Sequence, residues 1–417
     1  MSISQNFPAV QPSLNLNFAR SKTLDPRITF TRTTSGTRTN SKGLLETVSA
    51  DVPRFEHLYN SSTGSVNSLG LLIEESRTNL RTYSNNFSTN WAGNISPTIT
   101  ANASTSPDGS TNATQISATS GGSGVYQFNN LTSGLAYTYS IFVKAVSGSN
   151  TIYFGTDAPG TTSLVQVNTS TGVASLYGGS PTNITSVSYP NSWYRIAFTF
   201  TASVTGTHSF VIYNLTASSN TWLIYGAQVE EGSFATSYIP AVVSTVTRSS
   251  DNASITGTNF SSWYNPSEGT VYADTKMVGV QTGRYDRLWA ITNSNLNLEG
   301  ISVFVAGPAG TPSGYVSSVT VTNSATEQVG GTLVESALTT PKLKSAFAFK
   351  QNDCASAYNG QQRFVDGIVD LSTFTTPPDR LFIGQPQRYQ GYSCMTISQL
   401  TYYPRRLTNS QLTNLTK

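Results

Sequence analysis

Ionisable side chains are scarce in this sequence. Asp, Glu, Lys and Arg make up 11% of the 417 residues, against about 25% in typical soluble domains. Ser, Thr, Asn and Gly take their place, so hydroxyl and amide groups must hydrate the surface. The formal net charge of +3 is spread out, without a basic stripe or a block of like charges. This composition lacks the electrostatic signature of proteins that bind nucleic acid or anionic membranes. It predicts neutral partners, either protein surfaces or glycans.

Cysteine and histidine are nearly absent as well. Cys354 and Cys394 are the only cysteines. They can form one bridge or stay as two buried thiols, but they cannot supply a disulfide framework or a tetrahedral zinc site. The two histidines, His57 and His208, lie in no recognisable hydrolase motif such as Gly-x-Ser-x-Gly. Because the chain also has no Asp-x-Asp-x-Asp-Gly calcium loop, the sequence predicts neither a metal nor a cofactor.

Paired carboxylates are the remaining route to catalysis, since glycosidases use two of them about 5–10 Å apart. The candidate pairs are Glu230 with Glu231, Glu74 with Glu75, Glu268 with Asp274, and Asp366 with Asp370. Adjacent strand residues face opposite sides, which argues against Glu230 with Glu231. Glu74-Glu75 precedes Arg77, which favours an ion pair, and Asp366 precedes a glycine, which favours a hairpin turn. We therefore predict that the protein is not an enzyme.

Long apolar runs and helical patterns are also missing. No run of about 18 apolar residues occurs, and the first residues resemble no signal peptide. We therefore expect synthesis in a cytoplasm without secretion or membrane insertion. The clearest helix is predicted at the C-terminus, where Leu407, Leu412 and Leu415 follow a possible N-cap at Thr408 or Asn409. Elsewhere, short β-branched and aromatic runs broken by Gly, Asn, Ser and Pro are typical of all-β sandwiches or jelly rolls.

The length favours two or three domains. Residues 1–80 are predicted to form an arm of β-hairpins, which is too small and polar to hold a core without a neighbour or a partner chain. Residues 81–245 and residues 246–417 are each predicted to form an antiparallel sandwich.

Aromatic residues are the most prominent apolar component, with five tryptophans and 21 tyrosines. Sugars bind on aromatic platforms, although bulky aromatics in sandwiches more often fill the core. Trp193 is the better candidate for an exposed platform, because alternation places it opposite the face that carries Tyr194 and Phe200. Trp193, Trp263 and Tyr264 are therefore the candidate glycan contacts.

Two segments of the first 80 residues carry a family resemblance. The stretch from Asp25-Pro-Arg-Ile-Thr-Phe-Thr-Arg to Gly43-Leu-Leu-Glu, followed by Gly70-Leu-Leu-Ile-Glu-Glu-Ser-Arg-Thr-Asn-Leu80, resembles a cassette of bacteriophage virion proteins, above all tail fibres.

The string from Leu223 to Pro240 is similar to the last strand of phage-associated domains shaped like carbohydrate-binding modules, whose concave face often holds sugar. Segments 246–274 and 358–412 resemble a laminin-G or concanavalin-like sandwich.

This resemblance implies a virion structural protein that forms a tail fibre or fibre-like projection. The arm at residues 1–80 would attach to the particle or to a neighbouring subunit through Phe18, Ile28, Phe30 and Leu71. A carbohydrate-binding-module-like jelly roll at 81–245 and a concanavalin-like sandwich at 246–417 would face outward. The resemblance also implies a location on the virion, other virion proteins as partners, a homotrimer, and host surface glycan as a ligand for host attachment. Two alternatives stay open: a capsid decoration protein and a glycan-depolymerising tailspike enzyme.

Overall fold

The computed structural model of the chain describes residues 8–158, 161–279, 285–293, 300–306, 315–321, 327–333, 342–366, 371, 374, 376–384 and 393–417. Within these ranges the protein is all-β, as the sequence predicts, and its strands form antiparallel sandwiches.

The strands fall into three groups along the chain. The first group is β1 Leu14–Asn17, β2 Thr29–Thr31, β3 Gly36–Thr39, β4 Leu45–Val48, β5 Arg54–Asn60, β6 Ser65–Ile73 and β7 Arg77–Asn79. The second is β8 Ala92–Asn94, β9 Thr98–Thr105, β10 Thr111–Ala118, β11 Gly124–Leu131, β12 Ala136–Gly148, β13 Thr151–Ala158, β14 Thr161–Asn168, β15 Ala174–Gly179, β16 Thr182–Tyr189, β17 Trp193–Thr201, β18 Gly206–Asn214 and β19 Asn220–Glu231. The third is β20 Val246–Arg248, β21 Asn252–Thr256, β22 Glu268–Gly279, β23 Tyr285–Thr292, β24 Gly300–Ala306, β25 Tyr315–Val321, β26 Glu327–Leu333, β27 Lys342–Lys350, β28 Cys354–Tyr358, β29 Gln361–Asp366, β30 Arg380–Ile383 and β31 Cys394–Tyr403.

Short helices accompany these strands: α1 Phe18–Ser21, α2 Thr258–Ser261 and α3 Asn409–Leu415. The predicted C-terminal helix is confirmed as α3. Thr408 is its N-cap and forms a capping box with Gln411, which satisfies backbone donors at the start of the helix. Leu412 is the buried residue of α3. No helix in the described part of the chain is long and apolar enough to cross a membrane.

The second group of strands forms what we call the middle sandwich. Its front sheet has the order β15-β14-β13-β18-β11-β8, and its back sheet has the order β16-β17-β12-β19-β10-β9. Period-two alternation directs one set of apolar side chains between the sheets. In β17 this set includes Ile196, Phe198 and Phe200, each at most 2% exposed, as the sequence predicts.

Most strands of the first and third groups build what we call the composite sandwich, while β3 with β4 and β7 with β20 form two separate two-stranded sheets. One sheet has the order β29-β28-β27-β22-β31-β6-β5 with β1 also on β31, and the other has the order β2-β21-β30-β23-β24-β25-β26. Strands from the first 80 residues are thus integral members of both sheets. Leu14 pairs with Tyr402, Phe30 with Ala253 and Leu71 with Ile397. The neighbour that residues 1–80 need for a core is the C-terminal part of the same chain.

The four residues expected to dock the arm onto a partner lie inside this composite core. Phe18, Ile28, Phe30 and Leu71 are 1%, 8%, 9% and 0% exposed and belong to one cluster with residues of β21, β22 and β31. This placement corrects the docking expectation, because side chains already buried within the chain cannot contact a partner surface.

Candidate functional site

A buried cluster of charges joins the N-terminal strands to the connector between the sandwiches. Arg54 contacts Glu74 at 2.8 Å and also pairs with Asp251, while Arg248 contacts Glu74 at 2.8 Å and Arg32 contacts Asp251 at 3.0 Å. Burial alone would raise the pKa of Glu74, but the charges of Arg248 and Arg54 outweigh it and lower the pKa to about 2. With every carboxylate neutralised by an arginine, this cluster is suited to holding structure.

The predicted ion pair behind Glu74-Glu75 is also present, since Glu75 contacts Arg77 at 2.5 Å. Glu230 is buried and accepts hydrogen bonds from Thr236 and Gln228 at 2.7–2.8 Å. Buried carboxylates that are satisfied in this way are poor candidates for glycosidic chemistry.

The other carboxylate pairs give no better site. Glu268 contacts Arg405 at 3.1 Å, and Asp274 contacts Lys342 at 3.4 Å. The pair Asp366 and Asp370 lies outside the residues whose side chains are described. In the described ranges, no group of three or more His, Cys, Asp or Glu side chains is placed to hold a metal ion. Cys354 and Cys394 are both buried and are not bridged to each other.

Two of the three predicted glycan contacts, Trp193 and Trp263, are buried, and Tyr264 is half-buried. Trp193 does lie on the face opposite Phe198 and Phe200, as alternation predicts, but it is only 1% exposed and donates from Nε1 to the carbonyl of Thr105 at 3.1 Å. Trp263 is 4% exposed, and Tyr264 packs with it against the composite core. This corrects the choice of Trp193 and Trp263 as platforms, since a sugar ring cannot stack on a covered aromatic ring.

Trp193 is covered because other parts of the chain pack over the outer face of the back sheet. This face carries a second apolar cluster, which consists of Leu45, Ala113, Phe142, Tyr189, Trp193, Leu223, Tyr225 and Tyr238. Leu45, at the start of β4, belongs to this cluster although it comes from outside the middle sandwich. Its backbone N–H donates to the carbonyl of Pro107 at 2.9 Å. Tyr238 approaches from the segment that leaves β19. The outer face of the back sheet is thus occupied from within the chain.

The outer face of the front sheet has no such cover among the described residues and carries a continuous row of rings. We call this row the aromatic face; it consists of Tyr126, Phe128, Tyr153, Tyr177 and Tyr213. Phe128 and Tyr177 are 58% and 49% exposed, and the other three rings are half-buried.

The rings of the aromatic face contact one another across the strands. Tyr153 stacks on Tyr177 with centroids 5.3 Å apart and planes inclined by 16°. On its other side Tyr153 meets Tyr213 edge to face at 5.6 Å, and Tyr213 meets Tyr126 at 6.5 Å. Phe128 ends the row, 5.3 Å from Tyr126. Aromatic pairs at such spacings support each other, so the row forms a preorganised surface.

Polar groups lie beside the rings. Gln166 is exposed and directly opposite Tyr153 across β13 and β14. Asp157 is exposed and accepts a hydrogen bond from Thr162 Oγ1 at 3.0 Å. Burial, followed by the neighbouring Tyr153, Tyr126 and Asp157, raises the pKa of the Tyr213 hydroxyl. The Tyr213 hydroxyl therefore stays protonated at neutral pH and remains a hydrogen-bond donor. Flat rings flanked by hydroxyl, amide and carboxylate groups suit the C–H faces and hydroxyls of sugars.

The sequence reasoning missed this row, although a signal for it exists. In β11, Val125 and Gln127 point into the sandwich while Tyr126 and Phe128 point outward. In β13, Tyr153 separates the buried Ile152 and Phe154. A two-sheet sandwich buries only the inner face of each strand. Large apolar side chains on the outer face as well therefore predict that a ligand or another segment covers that face.

Comparison with known proteins places the chain in no established family. No family model matches it, and no curated protein matches it. Among solved structures, part of the chain is similar to the CBM40 domain of the Ruminococcus gnavus IT-sialidase, with 14% identity and a TM-score of 0.30 over 37% of this chain and 84% of that one. It is also similar to domain 4 of AbnA, an extracellular arabinanase from Geobacillus stearothermophilus, in complex with arabinotriose, with 15% identity and a TM-score of 0.30 over 44% and 83%.

A third similarity is to the binding domain of botulinum neurotoxin DC, solved in complex with rat synaptotagmin II. Here the identity is 11% and the TM-score 0.32, over 40% of this chain and 39% of that one. The chain therefore matches well under half the length of the neurotoxin domain. At these TM-scores the similarities carry no argument about what this chain binds.

Proposed function

We propose that the chain is a glycan-binding structural protein of a bacteriophage particle and that it binds sugar on the aromatic face. The observation that carries the proposal is the continuous row of rings from Phe128 to Tyr177, exposed on a sheet whose partner sheet has its own outer aromatics covered. Monomeric proteins rarely leave a contiguous apolar patch uncovered without a binding role. Rings flanked by hydroxyl and amide groups are suited to sugars, which present an apolar face and a polar rim.

The placement on a virion is supported by the cassette resemblance in the first 80 residues. Under this proposal the protein is not an enzyme, it assembles as a homo-oligomer, and its glycan ligand lies on the host surface. Individual sites can be weak, since several copies on one particle raise the overall avidity by orders of magnitude. Because the cassette is built into the composite sandwich, the particle would be contacted by an exposed surface of that sandwich and not by a detachable arm.

Removing two rings tests the glycan site. The double variant Tyr153→Ala/Tyr213→Ala should lose at least about tenfold in affinity for host cell-wall glycan, since each stacked ring contributes on the order of 1 kcal/mol. The measurement is binding of the purified chain to isolated host polysaccharide. Tyr59→Ala changes a half-buried tyrosine of β5, far along the chain from the front sheet, and serves as the matched control. Equal binding by both variants would contradict the proposal.

A self-association interface is the competing use of the same face. Light scattering on the wild type and the double variant separates the two roles. If the loss of Tyr153 and Tyr213 converts an oligomer to a monomer, the face is a subunit interface and the glycan proposal fails. If the oligomeric state is unchanged while glycan binding falls, the proposal holds.

The virion role and the absence of catalysis need their own measurements. Immunogold labelling of intact particles should place the chain on a tail projection; a uniform label over the capsid would favour the decoration alternative. Incubation with host polysaccharide should release no new reducing ends, whereas their steady release would favour the tailspike enzyme.

A further inference from the structure

Charge is nearly absent from the sheet that carries the aromatic face. Across the six described strands of the front sheet, Asp157 is the only Asp, Glu, Lys or Arg. The cations of residues 81–245 are Arg81, Lys144 and Arg195. Arg81 is 0% exposed. Lys144 and Arg195 belong to the back sheet, on β12 and β17.

This distribution bears directly on the ligand, because proteins that hold carboxylated or sulfated sugars need cationic partners. Arg forks and Lys ammonium groups are the usual donors to such anions. The aromatic face offers none from its own strands. Its single charge is negative and lies on the same side of β13 as Tyr153, four residues further along the strand. After burial, the Asp157 carboxylate is among the causes that raise the pKa of the Tyr153 and Tyr213 hydroxyls. An acidic sugar placed over these rings would meet repulsion and no compensating ion pair.

The extent of the row bears on ligand length. The rings come from β11, β18, β13 and β15, with β14 lying between the last two. The ring centroids follow one another at 6.5, 5.6 and 5.3 Å from Tyr126 through Tyr213 and Tyr153 to Tyr177, so the row spans at most about three strand spacings, or about 15 Å, across the sheet. That is several sugar rings in length, so a chain lying perpendicular to the strands would contact successive aromatic rings.

The shape of the face is open along this path. Gly124 lies opposite Tyr213, and a Cβ at this position would lie 2.1 Å from the Ile212 carbonyl oxygen and 2.9 Å from the Tyr213 ring, so the missing side chain leaves room for the β18 backbone and for that ring. Ser209 lies opposite Phe128, and its hydroxyl bonds the backbone of Asp157 at 2.8 Å. Small side chains between the rings give a flat track, and not a pocket that closes around a chain end.

We infer that the aromatic face binds the interior of an extended, uncharged glycan chain and discriminates against acidic glycans, with Asp157 as the discriminating residue. This rests on the proposed function. The rings supply stacking along the chain, Gln166 and the tyrosine hydroxyls bond the sugar hydroxyls, and the Asp157 carboxylate accepts hydroxyl donors while it repels carboxylates and sulfates.

The test compares two sets of probes on the full chain. The neutral set is mannan, dextran and xylan-derived and cellulose-derived oligosaccharides of one to six units. The acidic set is polygalacturonate, polysialic acid and chondroitin sulfate. We expect at least one neutral series to bind, with affinity rising at least about tenfold from one to four units. We expect the acidic set to bind at least about tenfold more weakly at low salt, where charge repulsion is least screened.

Substitution at Asp157 supplies the specific readout. Asp157→Lys should raise binding of the acidic probes severalfold and leave neutral binding within about twofold, whereas Asp157→Asn should give a smaller gain. Asp379→Lys makes the same change of charge in the composite sandwich and should change neither. Repeating the measurement in high salt should reduce the gain of Asp157→Lys, because ion pairs at exposed sites are screened.

The outcomes separate this inference from the function on which it rests. A preference of the wild type for acidic probes, or affinity that is complete with a single sugar unit, overturns the inference but leaves a glycan site in place. Binding to neither set, or neutral binding that survives Tyr153→Ala/Tyr213→Ala, overturns both.

Discussion

Arg54 has none of its side chain exposed and contacts carboxylates from two distant parts of the sequence, Glu74 and Asp251. Arg248 and Arg32 complete the cluster from the connector and from the N-terminal segment. A buried charge that loses its partner is strongly unfavourable, so each member of this cluster is tied to the others. In a chain with so few charges, concentrating them at this junction indicates a structural role.

Glu74→Gln should therefore destabilise the protein by about 3–5 kcal/mol, since two buried arginines lose a shared counter-charge. Urea unfolding followed by tryptophan fluorescence measures the loss. Glu46→Gln removes an ion pair with Arg38 whose side chains are 25% and 42% exposed, and should cost less than about 1 kcal/mol. Similar losses for the two variants would contradict the assigned role of the buried cluster.

The same residue gives a pH dependence of defined sign. The pKa of Glu74 falls from 4.5 to about 2 on folding, so its ionised form stabilises the folded state above pH 4.5. That contribution is lost as the pH falls from about 4.5 to about 2. The difference in unfolding free energy between the wild type and Glu74→Gln should be constant at neutral pH and shrink across this window. A difference that persists at pH 2 would show that the charge of Glu74 is not its source.

At the scale of elements, the N-terminal strands decide which parts of the chain fold together. β1 and β6 lie along β31, and β2 pairs with β21. Gly70 allows this arrangement: its φ is +94°, and a Cβ there would lie 2.1 Å from the carbonyl oxygen of Ile397. The glycine of the Gly-Leu-Leu-Ile-Glu-Glu motif is thus required where β6 meets β31.

Deletion of residues 1–80 should consequently unfold the composite sandwich, because it removes strands from both sheets and Leu71, Phe18 and Phe30 from their shared core. An independent arm would instead leave the remaining chain folded. Near-ultraviolet circular dichroism and hydrogen exchange of the fragment 81–417 distinguish the two. Deletion of residues 1–10 leaves every described strand intact and is the control. Native-like protection in β22 and β31 of the longer deletion would refute this prediction.

In this chain, sequence patterns predict the strands and helices better than they predict which distant segments pack over them. The alternation of β17 and the cap of α3 are local signals, and both are confirmed. The burial of Trp193 depends on Leu45 and Tyr238, which lie far away in the sequence, so no local pattern indicates it. The pairing of β1 with β31 has the same cause, because it joins residues almost 400 positions apart. The aromatic face was predictable only in part, since alternation shows that Tyr126 and Tyr153 point outward but not that nothing described covers them.

At the scale of the whole molecule, the two outer faces of the middle sandwich differ, because one is covered by other segments of the chain and the other is exposed. The back face is covered by Leu45 of β4 and by Tyr238 of the segment after β19. The front face presents five rings on a sheet with one charged residue. A low overall charge suits such a protein, because contacts made by ring stacking and neutral hydrogen bonds depend little on salt. Under the proposed function, multiplicity on a particle would supply the avidity that one flat site lacks.

The most direct test of this account is a crystal structure of the full chain soaked with a neutral oligosaccharide that it binds in solution. The account predicts sugar rings lying over Tyr153 and Tyr213, with the chain running across the strands of the front sheet. Sugar bound elsewhere while this face stays open to solvent, or a second protein subunit packed on it in solution as well as in the crystal, would contradict it.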